Sequence, residues 1–284
     1  MTNAAPSTGQ QIDARMTADR REAKYLLSAE QARVIVAALH RELVVHRHRG
    51  EGANTLPGAH HFVTTIYFDT ASRALYQAAL ASGDSHLKLR AKEYYDLHPE
   101  LTETATEVRQ LVRFSPILWL ELKHKNGAHT GKRRIGIPKR DVPAFFAEGA
   151  ITSEMVHIQE RTFGQDARSV LRAVAELCAS CAEPMRADCL VNYRRIAWQD
   201  PAGDLRVTID GGLAFFAPPE DLWRRDWALV RQSLGAPVGV EPRRVLEVKS
   251  HGDPPAWLTV LLGAEGVDVV RFSKFDAASS SIHG

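Results

Sequence analysis

Apolar and polar residues alternate with a period of two in several short stretches of this chain. Examples are Glu22-Ala23-Lys24-Tyr25, Leu87-Lys88-Leu89-Arg90-Ala91-Lys92, Leu120-Glu121-Leu122-Lys123, Leu205-Arg206-Val207-Thr208-Ile209-Asp210 and Leu246-Glu247-Val248-Lys249. Successive side chains of a strand point to opposite faces, so this period predicts strands. The pattern places them at about 20–27, 61–68, 85–95, 117–125, 132–138, 187–198, 204–210 and 243–250. Asn126-Gly127 and Gly131 mark a hairpin, and Pro201 to Gly203 mark another turn. Helical spacing appears between the strands. Ser28 with Gln31 reads as a capping box opening a helix to about His46, with Val34, Ile35, Ala38, Leu39 and Leu43 on one face. Asp69 or Thr70 caps a short helix to about Ala81. Pro143 to Cys181 reads as mainly helical, Asp221 to Leu234 as a Trp-rich helical piece inside a Pro-bounded segment, and Pro254 to Leu262 as a last helix. Residues 1–18 read as a disordered tail, and 47–59 and 96–116 as irregular.

The alternation sorts the strand residues into two faces. One holds Leu87, Leu89, Leu120, Leu122, Ile135, Ile137, Leu205, Val207, Ile209, Leu246 and Val248. Amphipathic helices can cover that face. The other holds Lys24, Lys88, Arg90, Lys92, Lys123, Lys125, Lys132, Arg134, Arg195, Arg206 and Lys249 against Glu22, Glu121, Asp210 and Glu247. That face is strongly cationic, yet the chain carries a net charge of only +2. Positive charge is therefore gathered on one strand surface, which suits a strongly anionic ligand. A plain solvated sheet face would alternate in the same way. The cationic bias and the recurrence of Glu-x-Lys at 22/24, 121/123 and 247/249 favour binding.

Composition narrows the classes. The chain has 284 residues, 44% hydrophobic and 25% charged, enough for a substantial core. A pI near 8.4 does not argue for nucleic acid. The aromatics do not alternate with the cations, and no RNA- or DNA-binding signature is present. No apolar h-region follows Met1 and no apolar run approaches a membrane span, so the expected location is cytoplasmic. Cys178-x-x-Cys181 lacks a second ligand pair and reads as small buried residues rather than half a zinc site. His46 with His48, and His60 with His61, read as exposed loop histidines. Gly127 to Arg133 resembles a phosphate loop, but it is one residue short between its glycines and has Arg133 where Ser or Thr must bind magnesium.

Taken in order, Glu22-Ala23-Lys24-Tyr25, Thr65-Ile66-Tyr67-Phe68-Asp69-Thr70, Leu87-Lys88-Leu89-Arg90, Glu121-Leu122-Lys123, Tyr193-Arg194-Arg195, Arg206 to Asp210, Leu246-Glu247-Val248-Lys249 and Phe272-Ser273-Lys274-Phe275 resemble the VTC domain family of polyphosphate polymerases, in the CYTH or triphosphate tunnel metalloenzyme superfamily. The resemblance runs from Glu22 to about Ser279. It implies an α+β fold: an eight-stranded antiparallel closed β-barrel, the triphosphate tunnel, covered by helices, formed by residues 19–284 as one domain. It implies ATP as phosphoryl donor, polyphosphate or triphosphate in the lumen, and Mn²⁺ or Mg²⁺ as cofactor. Lys24, Lys88, Arg90, Lys123, Arg134, Arg195, Arg206 and Lys249 would clamp phosphate, with Lys274 as a closing contact and Lys132 competing for the role of Arg134. Glu247 would be the first metal ligand, then Glu22, then Glu121. No specific nucleic acid is implied, and a membrane-protein partner is left open.

The chain also departs from the superfamily pattern. Hydrolytic tunnel enzymes begin with Glu-x-Glu-x-Lys, whereas here Arg20 holds the first Glu position. Losing that carboxylate weakens any second metal site for activating water and points to transfer rather than hydrolysis. Two alternatives stand beside the polymerase: a triphosphate hydrolase, and a non-catalytic polyphosphate-binding or sensing module.

Overall fold

The computed structural model describes residues 20–46, 60–82, 85–95, 115–126, 129–164 and 167–284. The tail at 1–18, the loop at 47–59 and most of the stretch at 96–116 lie outside the described residues. The strands are β1 (Arg20–Leu27), β2 (Val44–Val45), β3 (His60–Asp69), β4 (Ser85–Tyr95), β5 (Ile117–Asn126), β6 (His129–Pro138), β7 (Arg186–Gln199), β8 (Leu205–Phe216), β9 (Gly239–Glu241) and β10 (Arg244–His251). The helices are α1 (Ala29–Glu42), α2 (Ala74–Ser82), α3 (Val142–Glu148), α4 (Ser153–Phe163), α5 (Ala167–Ala179), α6 (Ala256–Ala264) and α7 (Lys274–His283).

The strands hydrogen-bond in the order β1-β10-β8-β7-β3-β4-β5-β6, with β2 on β7 and β9 on β8. β1 pairs antiparallel with β10, β10 with β8, β3 with β4, β4 with β5, and β5 with β6. This corrects the expected eight-stranded closed β-barrel. The sheet has ten strands, and its order has two ends, β1 and β6, with no ladder joining them among the described residues. Alternation fixes which side chains share a face, but closure requires the first and last strands to pair, and no face pattern encodes that. The outer edge of β1 has another neighbour: the Val270 N–H donates to the Lys24 carbonyl at 2.8 Å.

The chain divides into two compact units. The first holds residues up to His61, Tyr193–Leu213 and Glu241–Ser273. Its core joins Tyr25 and Leu27 of β1, Val207 and Ile209 of β8 and Leu246 and Val248 of β10 to Ile35 and Leu39 of α1 and Leu258 and Leu262 of α6. α1 opens on the expected capping box. Ser28 Oγ accepts from the Gln31 N–H, and Gln31 Oε1 accepts from the Ser28 N–H. The helix stops at Glu42 rather than near His46. Leu43 is already extended, with φ −131° and ψ 155°, and the β-branched pair Val44–Val45 joins Trp198 and Gln199 as β2.

The second unit holds Phe62–Asn192, Ala214–Val240 and Lys274–Gly284. Its core packs Ile66, Phe68, Leu89, Leu120, Ile135 and Ile137 against Phe145 and Phe146 of α3, Met155 of α4 and Leu171 and Val174 of α5. Cys178 sits in this core, and burial, with Cys181 beside it, pushes its thiol up to about 12. Asp69 is buried and accepts from the N–H groups of Thr70, Leu75 and Tyr76, while Thr70 Oγ1 accepts from Ala74, so both expected capping residues hold the start of α2. His61 lies buried within β3 rather than in a loop.

The expected Trp-rich helix at 221–234 does not form. The segment has only two single 3-10 turns, Leu222–Arg224 and Arg231–Ser233. Its backbone is drawn to tertiary partners instead. The Leu229 N–H donates to Glu93, the Leu229 carbonyl accepts from Thr64, and the Trp227 carbonyl accepts from Lys139.

Candidate phosphate-binding faces

In the first unit, β1, β10 and β8 bring the two Glu-x-Lys pairs into antiparallel register. Glu22 stands opposite Lys249 and Lys24 opposite Glu247; on the other side of β10, Glu247 faces Thr208 and Lys249 faces Arg206. Residues paired in register share a face, so Glu22, Lys24, Glu247, Lys249, Arg206, Thr208 and Asp210 form one polar surface opposite the core. Lys24 Nζ lies 3.5 Å from Glu22 Oε1 and donates to the Phe272 carbonyl at 3.0 Å. Lys249 Nζ pairs with Glu247 Oε1 and lies 3.8 Å from Glu22 Oε2. Arg195 reaches the same surface from β7 and holds Asp210 with two parallel bonds, Nε to Oδ1 at 2.6 Å and Nη2 to Oδ2 at 2.7 Å. Burial alone would disfavour the charged guanidinium, but the Asp210 carboxylate outweighs it and holds Arg195 protonated well above its usual range. Arg195 and its neighbour Arg194 therefore part to opposite faces of β7.

In the second unit, β4, β5 and β6 build a different arrangement around one carboxylate. Glu121 stands opposite Arg90 on one side and Arg134 on the other. Its Oε1 accepts from Arg90 Nε at 2.8 Å and from Nη2 of the same residue. Its Oε2 takes Lys132 Nζ at 3.0 Å and Arg134 Nη2 at 3.4 Å. Lys132 and Arg134, rivals for one role in the sequence, thus meet at the same oxygen. Burial would raise the Glu121 carboxyl, but Arg90, Lys92 and Lys132 pull it well below the usual carboxylate range. Burial also lowers the Lys132 ammonium, against the attraction of Glu121. One register step along, Lys123 is flanked by Lys88 and Lys132. The three ammonium groups are adjacent in register, and carboxylates temper their repulsion: Glu121 at Lys132 and Asp276 at Lys88.

α7 supplies partners that the alternation of strands could not reveal. Phe275 stacks on Tyr67 with ring centroids 5.0 Å apart, Lys88 Nζ lies 5.6 Å from the Phe275 ring centre, and Asp276 Oδ1 is 3.4 Å from Lys88 Nζ. Lys274 is the first residue of this helix. Asp210 was visible in the sequence, since alternation put it on the charged face; its pairing with Arg195 was not.

The carboxylates can be judged as metal ligands by what surrounds them. Glu121 is held tightly at both oxygens, by Arg90 at 2.8 Å and by Lys132 at 3.0 Å, whereas the Glu22 oxygens meet ammonium groups only at 3.5 and 3.8 Å. Glu247 is nearly buried and Glu22 half-exposed on the same face, and Thr208, opposite Glu247, has a buried Oγ1 with no hydrogen-bond partner among the described residues. These are hard oxygen donors. No third His, Cys, Asp or Glu joins such a group among the described residues. A magnesium-like ion commonly takes one or two carboxylates and completes its shell with phosphate and water, so Glu247 and Glu22 fit such a group and Glu121 fits poorly.

Solved structures offer distant likenesses. One is a candidate adenylyl cyclase from Hippeastrum in which a triphosphatase activity dominates, with 15% identity, 91% of this chain and 94% of that chain covered and a TM-score of 0.47. Another is a candidate adenylate cyclase from Bacillus halodurans, with 12% identity, coverage of 90% and 95% and a TM-score of 0.42. No curated protein matches the sequence. No helix among the described residues is long and apolar enough to cross a membrane. The family comparison is decisive where these are not: the VTC domain matches residues 19–283, nearly the whole length, and the chain belongs to the VTC domain family.

Proposed function

We propose that this protein is a metal-dependent polyphosphate polymerase that moves the terminal phosphoryl group of ATP onto a polyphosphate chain. The observation that carries the reading is the reciprocal register of Glu22 with Lys249 and Lys24 with Glu247 on one face, beside Arg206 and the clamped Arg195. Phosphoryl transfer asks a protein for positioning and charge neutralisation more than for covalent help. Lys24, Lys249 and Arg206 neutralise phosphate oxygens, and Arg195 offers a guanidinium whose orientation Asp210 fixes. Glu247 and Glu22 would hold Mn²⁺ or Mg²⁺, which when bound supplies Lewis-acid stabilisation of the charge on the transferring group. The end of a polyphosphate chain is already an anionic nucleophile, so the site needs no general base. The bond from the γ-phosphorus to the bridging oxygen of ATP breaks, the terminal chain oxygen takes that phosphorus, and ADP leaves.

In the second unit, Lys88, Arg90, Lys123, Arg134 and Lys132 present a further surface for phosphate, and Lys274 lies at the head of α7. Glu121 acts there as a positioning residue that holds Arg90, Lys132 and Arg134. Purified protein with ATP and Mn²⁺ should yield ADP together with acid-labile chains longer than three phosphates. Release of orthophosphate without chains makes the protein a hydrolase. Tight tripolyphosphate binding without turnover under any divalent metal makes it a sensing module.

A further inference from the structure

A second cationic feature lies in the first unit on the side of the sheet away from the phosphate-binding face. A cavity of about 240 Å³ opens between α1 and the strands β7, β8 and β10. Arg33, Arg194 and Arg244 line it together with Val36, Ile196 and Ile209. The three apolar residues belong to or pack on the helix-covered core, which places the cavity on that side. Arg194 reaches it because alternation along β7 sends Arg194 and Arg195 in opposite directions. Gly211 leaves the wall open: a Cβ there would meet the Arg244 Cγ only at ordinary contact, 3.5 Å. Among the described residues no carboxylate lines the cavity. Neither Arg33 nor Arg244 forms an ion pair with a described residue.

We propose that this cavity is a binding site for a small phosphate ester. Three arginines around one opening suit a phosphate dianion better than a carboxylate, because each guanidinium presents a planar fork to the tetrahedral oxygens. The floor of Val36, Ile196 and Ile209 takes the ester's organic part, which inorganic phosphate lacks. The volume lies below that of drug-sized ligand sites, so the organic part is a ring or a short chain and not a whole nucleotide. The ligand occupies a face that the polymerase reading leaves unused, so it is not the chain substrate. Its position along β7 and β8, the strands that carry Arg195 and Arg206, suits an effector.

Calorimetric titration with phenyl phosphate and with inorganic phosphate tests this. Phenyl phosphate should bind saturably and at least about tenfold more tightly than inorganic phosphate, as burial of the ring against an apolar floor requires. Arg33→Glu should weaken phenyl phosphate by about tenfold, and Arg33→Glu with Arg244→Glu should abolish it, since each reversal removes a charge-assisted contact. Arg33 lies on an exposed helix surface, so its single variant should fold even if the double variant does not. Lys249→Ala should leave phenyl phosphate binding within about twofold of the parent, because independent sites do not couple. The proposal is overturned if phenyl phosphate does not saturate, if both probes bind equally, or if Lys249→Ala removes binding that Arg33→Glu leaves intact.

Discussion

Arg195 grips Asp210 through two parallel hydrogen bonds of 2.6 and 2.7 Å, and the Asp210 side chain is wholly buried. The pair sets the orientation of the cation that the candidate phosphate-binding face offers from β7. Replacing Asp210 with Ala leaves a largely buried guanidinium uncompensated. The expected loss of stability is about 3 kcal/mol, read as a shift in the urea midpoint. An unchanged midpoint would show that solvent reaches Arg195 and that the pair contributes little.

Glu247→Gln keeps the shape of the side chain and removes its charge. Metal-dependent turnover should fall by a factor of about 1,000 or more, in line with loss of several kcal/mol of charge stabilisation, while the thermal midpoint holds. Full activity at saturating Mn²⁺ would remove Glu247 from the mechanism.

The Glu121 cluster predicts a definite response to acid. Its carboxyl is depressed in the folded protein below the ordinary 4.5, so the folded state holds it ionised where the unfolded chain takes up a proton. The stability it contributes is present above about pH 4.5 and drains away as pH falls below that value. Glu121→Gln should cost about 1–2 kcal/mol at neutral pH, a modest figure because Lys132 and Arg134 are partly solvated. The variant should also lose less stability than the parent between pH 4.5 and pH 3. Parallel curves across that interval would count against the cluster.

Tripolyphosphate should bind more weakly as salt rises, since the lysines and arginines proposed to hold it would act by Coulomb attraction. On the proposed reading it should be cleaved far more slowly than ATP is consumed, since Arg20 would leave no second carboxylate to help activate water. Rapid release of pyrophosphate and orthophosphate would make hydrolysis the reaction.

Phe275 is buried, stacks on Tyr67 and lies beneath Lys88. Phe275→Ala should destabilise the fold by about 3–4 kcal/mol through the cavity it leaves. Phe275→Leu should recover more than half of that.

Much of this was legible in the sequence, for physical reasons that can be named. Strand alternation depends only on neighbouring residues, so β1, β4 and β10 and the faces of Lys24, Arg90 and Lys249 could be read directly. The capping box at Ser28 and Gln31 is equally local. The 221–234 segment was misread because its helical spacing competes with distant partners: Glu93, Thr64 and Lys139 take its backbone groups. α7 went unread because Lys274-Phe-Asp-Ala-Ala-Ser-Ser-Ser carries few apolar residues, and Phe275 and Ala278 reveal a face only once a surface exists to bury them. Closure of the sheet could not be read at all, since it concerns β1 and β6, residues far apart in sequence whose own patterns are silent about each other.

The stretch beside β1 bears on how copies of this protein behave when crowded. An edge strand with a bare row of amide and carbonyl groups is a template on which a second chain can add and aggregation can begin. Here the Lys24 carbonyl is taken by the Val270 amide, and the Lys24 ammonium is tied to the Phe272 carbonyl. A nearby piece of the same chain has already claimed part of the position an invading strand would need. Val270→Pro would remove that N–H while keeping the C-terminal helix, and the variant should lose solubility at concentrations where the parent stays clear in light scattering.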